Sequence, residues 1–227
     1  MKREDGRKAD ELRPLEIRAG VIKNAAGSAM VRMGKTTAFA GVYGPTEFLP
    51  KHKQVSDRAV LRCLYTMVPF STYERVRPGP SRRSTEISMV MTQALAPVIF
   101  LEEFPTSVID VYVNIVQADA GTRTAGINAA SVALADAGIP MRDLVASVAA
   151  GKIGENYILD LAGKEEELTD ADIPVAYIPR TKQISLLQMD GDLQPQEVKN
   201  AIELALKGCE QIYEAQKKAL KGRWGKA

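Results

Sequence analysis

Three short stretches gather the residue types that could do chemistry. The first is "QADAGTRTAG", residues 117–126, where Arg123 sits between Thr122 and Thr124 with Gly121 and Gly126 outside them. Glycines let a backbone approach a ligand closely, and successive N–H groups at the start of a helix attract an anion. The hydroxyls add donors and Arg123 adds a full charge. A plain helix start capped by Thr122 or Thr124 would use the same residues. The second stretch is "LDLAGKEEELTDADIPVA", residues 159–176. If its latter part is a strand, Asp170 and Asp172 share one face, and Asp160 closes the strand before. Oxygen ligands of this kind suit Mg²⁺ or Mn²⁺, while a charged hairpin facing solvent would read the same way. The third is "PGPSRRSTE", residues 78–86, with Arg82 and Arg83 set to grip a polyanion and Ser81 placed as a helix N-cap.

The distribution of basic residues sharpens the picture. Net charge is only +2, yet no lysine occurs between Gln54 and Gly151, where every basic residue is an arginine. Arginine binds phosphate or carboxylate through a planar fork, whereas lysine is a point charge. The single histidine, His52, lies in the charged run "PKHKQ" and receives no role. Cys63 and Cys209 are expected to be two buried thiols of a reducing compartment. No apolar run is long enough to span a bilayer and the polar first residues lack a signal-peptide centre, so a cytoplasmic protein with no membrane association is expected.

These groups need elements to hold them. Strands are expected at 17–23 and 29–43, at "AVLRCLYTMVPF", and at "SVIDVYVNIVQAD". The spacing of Ile87, Val90, Met91, Ala94, Leu95 and Val98 predicts a helix over 84–100. A small-residue helix closed by Gly138 follows the Arg123 loop, and its small side chains predict close packing on a sheet. Strands are then expected at "DLVASVAAGKIG", "NYILDLA", "DIPVAYIP" and "KQISLLQMDG", before a C-terminal helix opening at Pro195 with a frayed basic tail over 217–227. The order predicts an α+β or mixed-sheet fold, read as a single domain over 1–227.

Taken together, "DGR", "GSAMVRMGKTTAFAGVYGP", "VPFST", "PSRRSTEIS", the block from Phe104 to Ala146 and "LLQMDG" resemble the RNase PH family. Within it they are most similar to the catalytic RNase PH-type subunits of archaeal exosomes. The resemblance implies the RNase PH fold, two βαβα-type halves of mixed sheets packed with helices, like the second domain of ribosomal protein S5. It implies 3′→5′ phosphorolysis of single-stranded RNA, with inorganic phosphate as co-substrate and nucleoside 5′-diphosphates as products. It also implies a hexameric ring, a trimer of heterodimers shared with a related non-catalytic RNase PH-type subunit, beneath cap subunits of the S1/KH type. Carried over residue by residue, the phosphate loop falls on Gly121, Thr122, Arg123 and Thr124, joined by Arg83. RNA contacts fall on Arg62, Arg82 and Arg83, and the late catalytic and metal-binding aspartate falls on Asp172.

Two positions depart from the pattern. The family's other aspartate, six residues before the late one, is Glu166 here, so Glu166 is assigned the catalytic and metal-binding role beside Asp172, with Glu165 or Glu167 as substitutes if the loop shifts. Leu64 and Thr66 stand where relatives carry a basic pair. The alternatives are a non-catalytic RNA-binding ring subunit and a homohexameric RNase PH that trims tRNA 3′ ends.

Overall fold

The computed structural model describes residue 3 and residues 5–225. Two sheets flank one helix made almost wholly of small and apolar side chains. The first sheet has the order β1-β2-β3-β5-β4, built from β1 (Leu15–Ala19), β2 (Gly27–Met33), β3 (Thr36–Glu47), β4 (Val60–Met67) and β5 (Ser107–Gln117). β4 and β5 run parallel, and the remaining neighbours are antiparallel. The parallel pair is joined by a crossover that contains α1 (Arg82–Leu95), as parallel neighbours require.

β5 leads through a short loop into α2 (Thr122–Asp136), in which every residue but Arg123 and Ala135 is buried. The second sheet follows: β6 (Ala146–Ile153), β7 (Asn156–Leu159), β8 (Ala171–Ile178), β9 (Gln183–Leu187) and β10 (Asp190–Gly191), with β8 pairing β6, β9 and β10. α2 touches strands of both sheets, and a single apolar cluster runs from Val31 and Val113 through Ile127 to Val148 and Val175. Its small residues permit that close approach. At Gly27, a Cβ would stand 2.1 Å from the Ala137 backbone nitrogen at the end of α2, so only glycine fits the contact.

α4 (Pro195–Trp224) closes the second sheet, burying Ala205, Cys209 and Ile212. The tail from Lys217 to Trp224 is therefore helical rather than frayed, and Arg223 reaches the buried Asp136 at 3.4 Å; the last two residues of the tail lie outside the described region. Two other boundaries differ from expectation. The 29–43 run is two strands broken at Gly34, whose φ of +58° turns a hairpin. The helix expected over 84–100 ends at Leu95, because Pro97 cannot continue it and the next residues form a 3-10 turn. Cys63 and Cys209 are both free and buried, as expected.

Candidate active site

The Arg123 loop is held from below. Ala120 and Gly121 both adopt left-handed backbone, at φ +60° and +62°, a conformation that costs a non-glycine residue about 1–2 kcal/mol. Such strain persists where the surroundings over-determine it. Here the Thr36 hydroxyl donates to the Ala120 carbonyl at 2.7 Å and accepts from the Asp119 N–H at 2.9 Å. The Arg13 guanidinium donates to the Asp119 carbonyl at 2.6 Å. The loop thus delivers the N-terminus of α2 to the surface with Gly121 as N-cap and no side chain capping it.

That geometry settles how the two threonines are used. The Thr124 hydroxyl donates inward to the Gly121 carbonyl at 2.9 Å, and the Thr122 hydroxyl accepts from Tyr65 at 2.9 Å. Neither caps the first N–H groups of the 15-residue helix, which carry the positive end of its dipole. Burial raises the Tyr65 phenol above its ordinary pKa, so it stays protonated and able to donate.

Two adjoining cavities of about 430 and 280 Å³ open at this helix end and share Arg83, Gly121, Thr122 and Glu166 in their walls. Ser81 caps α1 in a capping box, as its sequence position predicts, which sets Arg83 in the first turn facing both cavities. Arg82 is exposed and lines neither. Arg62 lies on β4, where it makes a bidentate contact to Asp110 at 2.6 and 2.7 Å, again outside both cavities. Thr66 faces the larger of the two cavities, and Leu64 lines neither.

The acidic stretch separates into site and scaffold. Asp160 is buried against Arg13 at 2.7 Å, and Glu165 is buried against Arg3 at 2.7 and 2.8 Å. Asp170 lies just outside β8, exposed, accepts from the Gly154 N–H at 2.8 Å, and does not line the cavity that Asp172 faces. The charged hairpin expected as one alternative is instead a short helix, α3 (Gly163–Leu168), which carries Glu166 into the cavity wall while its neighbour Glu165 is turned inward. Glu167 faces a separate depression beside Lys35.

Asp172 therefore meets Glu166 across the smaller cavity, and in the β8–β10 register it stands opposite Asp190. Burial pushes the Asp172 carboxyl up to about 6, the Glu166 charge adds to that rise, Arg123 opposes it, and Asp190 raises it further. One Asp172 oxygen is buried with no hydrogen-bond partner, and so is Nε of Arg123. The cavity wall thus carries four carboxylates, Glu86, Glu166, Asp172 and Asp190, against Arg83 and Arg123. A wall with that imbalance favours a bound proton or a cation near Asp172 and an anion near Arg123. Among the described residues no group of three or more potential metal-ligating side chains is gathered closely enough to form an all-protein cage. An orphaned carboxylate oxygen beside a second carboxylate fits a Mg²⁺-type ion, which takes one or two carboxylates and keeps its waters.

Sequence reasoning missed Glu86, Gln188, Asp190 and Tyr65. Glu86 stands three residues after Arg83, the spacing that places two side chains on one helix face, and that signal was available. Gln188 and Asp190 are brought in only by the pairing of β8 with its two late neighbours, which no local pattern reveals.

Residues 11–140 match RNase PH, 3′ exoribonuclease family, domain 1, and residues 143–208 match domain 2 of the same family. The chain is 56% identical over 221 residues to the exosome complex component Rrp41 of Methanopyrus kandleri, covering 97% of this chain and 92% of that protein. It is 55% identical over 223 residues to the protein of the same description from Thermococcus kodakarensis, covering 98% and 90%. Its fold is similar to that of rice Rrp46, with a TM-score of 0.87 at 23% identity, over 96% of this chain and 100% of that one.

Proposed function

The chain belongs to the RNase PH, 3′ exoribonuclease family, and we propose that it shortens single-stranded RNA from the 3′ end by phosphorolysis. An oxygen of inorganic phosphate attacks the phosphorus of the last phosphodiester. The bond from that phosphorus to the 3′-oxygen of the preceding nucleotide breaks, the 3′-oxygen takes up a proton, and a nucleoside 5′-diphosphate leaves. Run backwards, the same steps lengthen RNA.

The observation that carries this reading is the juxtaposition of an uncapped helix N-terminus bearing Arg123 with a carboxyl of raised pKa, Asp172, in one cavity wall. The chemical difficulty is bringing two anions together. Arg123, Arg83 and the N–H groups of Thr122 to Thr124, with Gly121 giving close approach, would bind and orient phosphate and oppose the charge that builds on the non-bridging oxygens. Asp172, with a pKa of about 6, is poised near neutral pH to hand a proton to the departing 3′-oxygen. Asp172 and Glu166 would also be the residues that hold Mg²⁺ or Mn²⁺. When bound, such an ion supplies Lewis-acid stabilisation of the same charge. Arg82, Arg83 and Arg62 would contact RNA through its phosphates, giving little base preference and strong salt dependence.

The relatives carry the description of exosome components. We place this chain accordingly in the cytoplasm, in a hexameric ring with a related RNase PH-type subunit, beneath S1/KH-type caps. No described helix is long and apolar enough to cross a membrane. The test is to assemble the chain with that related subunit and incubate it with oligo(A) and Mg²⁺, with and without phosphate. Shortening that requires phosphate is the expected result; shortening that ignores phosphate, or none at all, would overturn the reading.

A further inference from the structure

Arg123 has five N–H donors, and the structure accounts for two of them in an unusual way. One Nη donates to the Gln188 side-chain oxygen, and the other donates to a Glu86 oxygen at 3.0 Å. The Gln188 amide nitrogen then donates to the second Glu86 oxygen at 3.0 Å. Three side chains from three elements, the α2 N-terminus, α1 and the β9–β10 connection, thus close a ring of hydrogen bonds. Nε of Arg123 stays outside that ring, buried and without a partner.

A carboxylate beside an anion-binding arginine is electrostatically unfavourable for anion binding, because it neutralises part of the charge on offer. Its presence needs a compensating effect, and the ring supplies one. A guanidinium held at both Nη atoms cannot swing away or rotate about its long side chain, so little entropy remains to be lost when an anion binds. Glu86 itself is anchored by Gln188, which fixes the carboxylate plane that fixes the guanidinium plane.

We propose that Glu86 and Gln188 are positioning residues that act through Arg123, setting its guanidinium to receive the attacking phosphate. The proposal rests on the phosphorolytic reading for the identity of the anion, and it deepens that reading by naming what orients the arginine. It runs against the simplest electrostatic expectation, under which deleting Glu86 would tighten phosphate binding.

The experiment uses the full chain, with inorganic phosphate as the probe. Phosphate affinity is followed by ³¹P line broadening, and kcat and KM for phosphate and for oligo(A) are measured separately in the assembled ring. Glu86→Ala and Gln188→Ala should each weaken phosphate binding about tenfold, the scale of one charge-assisted hydrogen bond, and leave KM for oligo(A) within about twofold. Glu86→Gln, which keeps an acceptor for Arg123, should restore affinity to within about threefold of the parent. The Glu86→Ala, Gln188→Ala double variant should be no weaker than the worse single one, and on an Arg123→Lys background Glu86→Ala should change affinity less than about twofold.

Tighter phosphate binding in Glu86→Ala, additive losses in the double variant, or an equal rise in KM for oligo(A) would overturn the proposal. Thermal midpoints identify any variant that fails to fold, and the Gln188 variant then decides. If the parent binds phosphate and the variants behave as stated while no RNA is turned over, the activity assigned above fails and the positioning role stands. If the parent binds no phosphate, both fail.

Discussion

Arg3 and Glu165, 162 positions apart in the chain, form a buried two-bond pair at 2.8 and 2.7 Å, one residue before the glutamate that faces the site. The same guanidinium donates to the carbonyls of Leu159 and Asp160 at 2.9 and 3.0 Å. It therefore ties α3 to the end of β7, and with Glu165 drawn inward, Glu166 on the next position is left facing the cavity. Glu166 is thus set on a scaffold that fixes which of three successive glutamates faces the cavity with Asp172.

Removing one partner of that pair leaves a buried charge unmatched, which costs about 3–5 kcal/mol. Glu165→Ala is expected to lose stability on that scale in denaturant unfolding and to reduce RNA shortening, because α3 loses its anchor. Replacing both partners by apolar residues, Arg3→Met with Glu165→Leu, should recover much of the stability. A Glu165→Ala chain as stable as the parent would show that the pair is not structural.

Asp172 gives a pH signature with a definite sign. Its native carboxyl holds a proton up to about pH 6, whereas an unfolded aspartate releases it near 4. The stabilisation from the protonated form is complete below about 4 and is lost as pH rises through about 6. Stability should therefore fall across that window, and Asp172→Asn should flatten the fall and stabilise the chain at pH 7 by on the order of 2 kcal/mol. The same substitution should abolish RNA shortening. Unfolding midpoints collected from pH 4 to 7.5 on both chains check the sign; parallel curves would contradict it.

Glu166 raises the Asp172 pKa by its charge. Glu166→Gln should therefore move the Asp172 titration to lower pH, seen directly in the carboxyl ¹³C shift. Glu166→Asp, which keeps a carboxylate at this position, should retain activity, while Glu166→Ala should lose it. Full activity in Glu166→Ala would remove this residue from the chemistry.

Much of this architecture was legible in the sequence, and the failures have physical causes. The Ser81 cap, the β5 run and the α2 helix follow from local chemistry and periodicity, and they appear where expected. Arg123, Thr122 and Gly121 line one cavity with Glu166 and Asp172. What local reasoning could not supply was partnership over distance. Asp160, Glu165 and Asp170 have the same composition as site acids, and only the arginines at 3 and 13 and the turn at Gly154 reveal them as scaffold. Both threonine hydroxyls read as donors to an anion, yet the fold directs that of Thr124 to the Gly121 carbonyl, while that of Thr122 accepts from Tyr65 and keeps its own proton to donate.

Gly121 offers a check on the loop itself. A Cβ there would need left-handed backbone and would stand 2.8 Å from the Arg13 guanidinium. Gly121→Ala should destabilise the chain by about 1–2 kcal/mol and weaken phosphate affinity while leaving the secondary structure unchanged by circular dichroism. Unaltered phosphate affinity would mean that the loop backbone does not approach the anion.

The fate of the attacking group tests the central claim most directly. With ³²P-labelled inorganic phosphate, oligo(A) and the assembled ring, the account predicts label in the β-phosphate of the released nucleoside diphosphate, and none when Arg123 is replaced by glutamate. Unlabelled nucleoside monophosphate as the product would show that water attacks instead, and would contradict it.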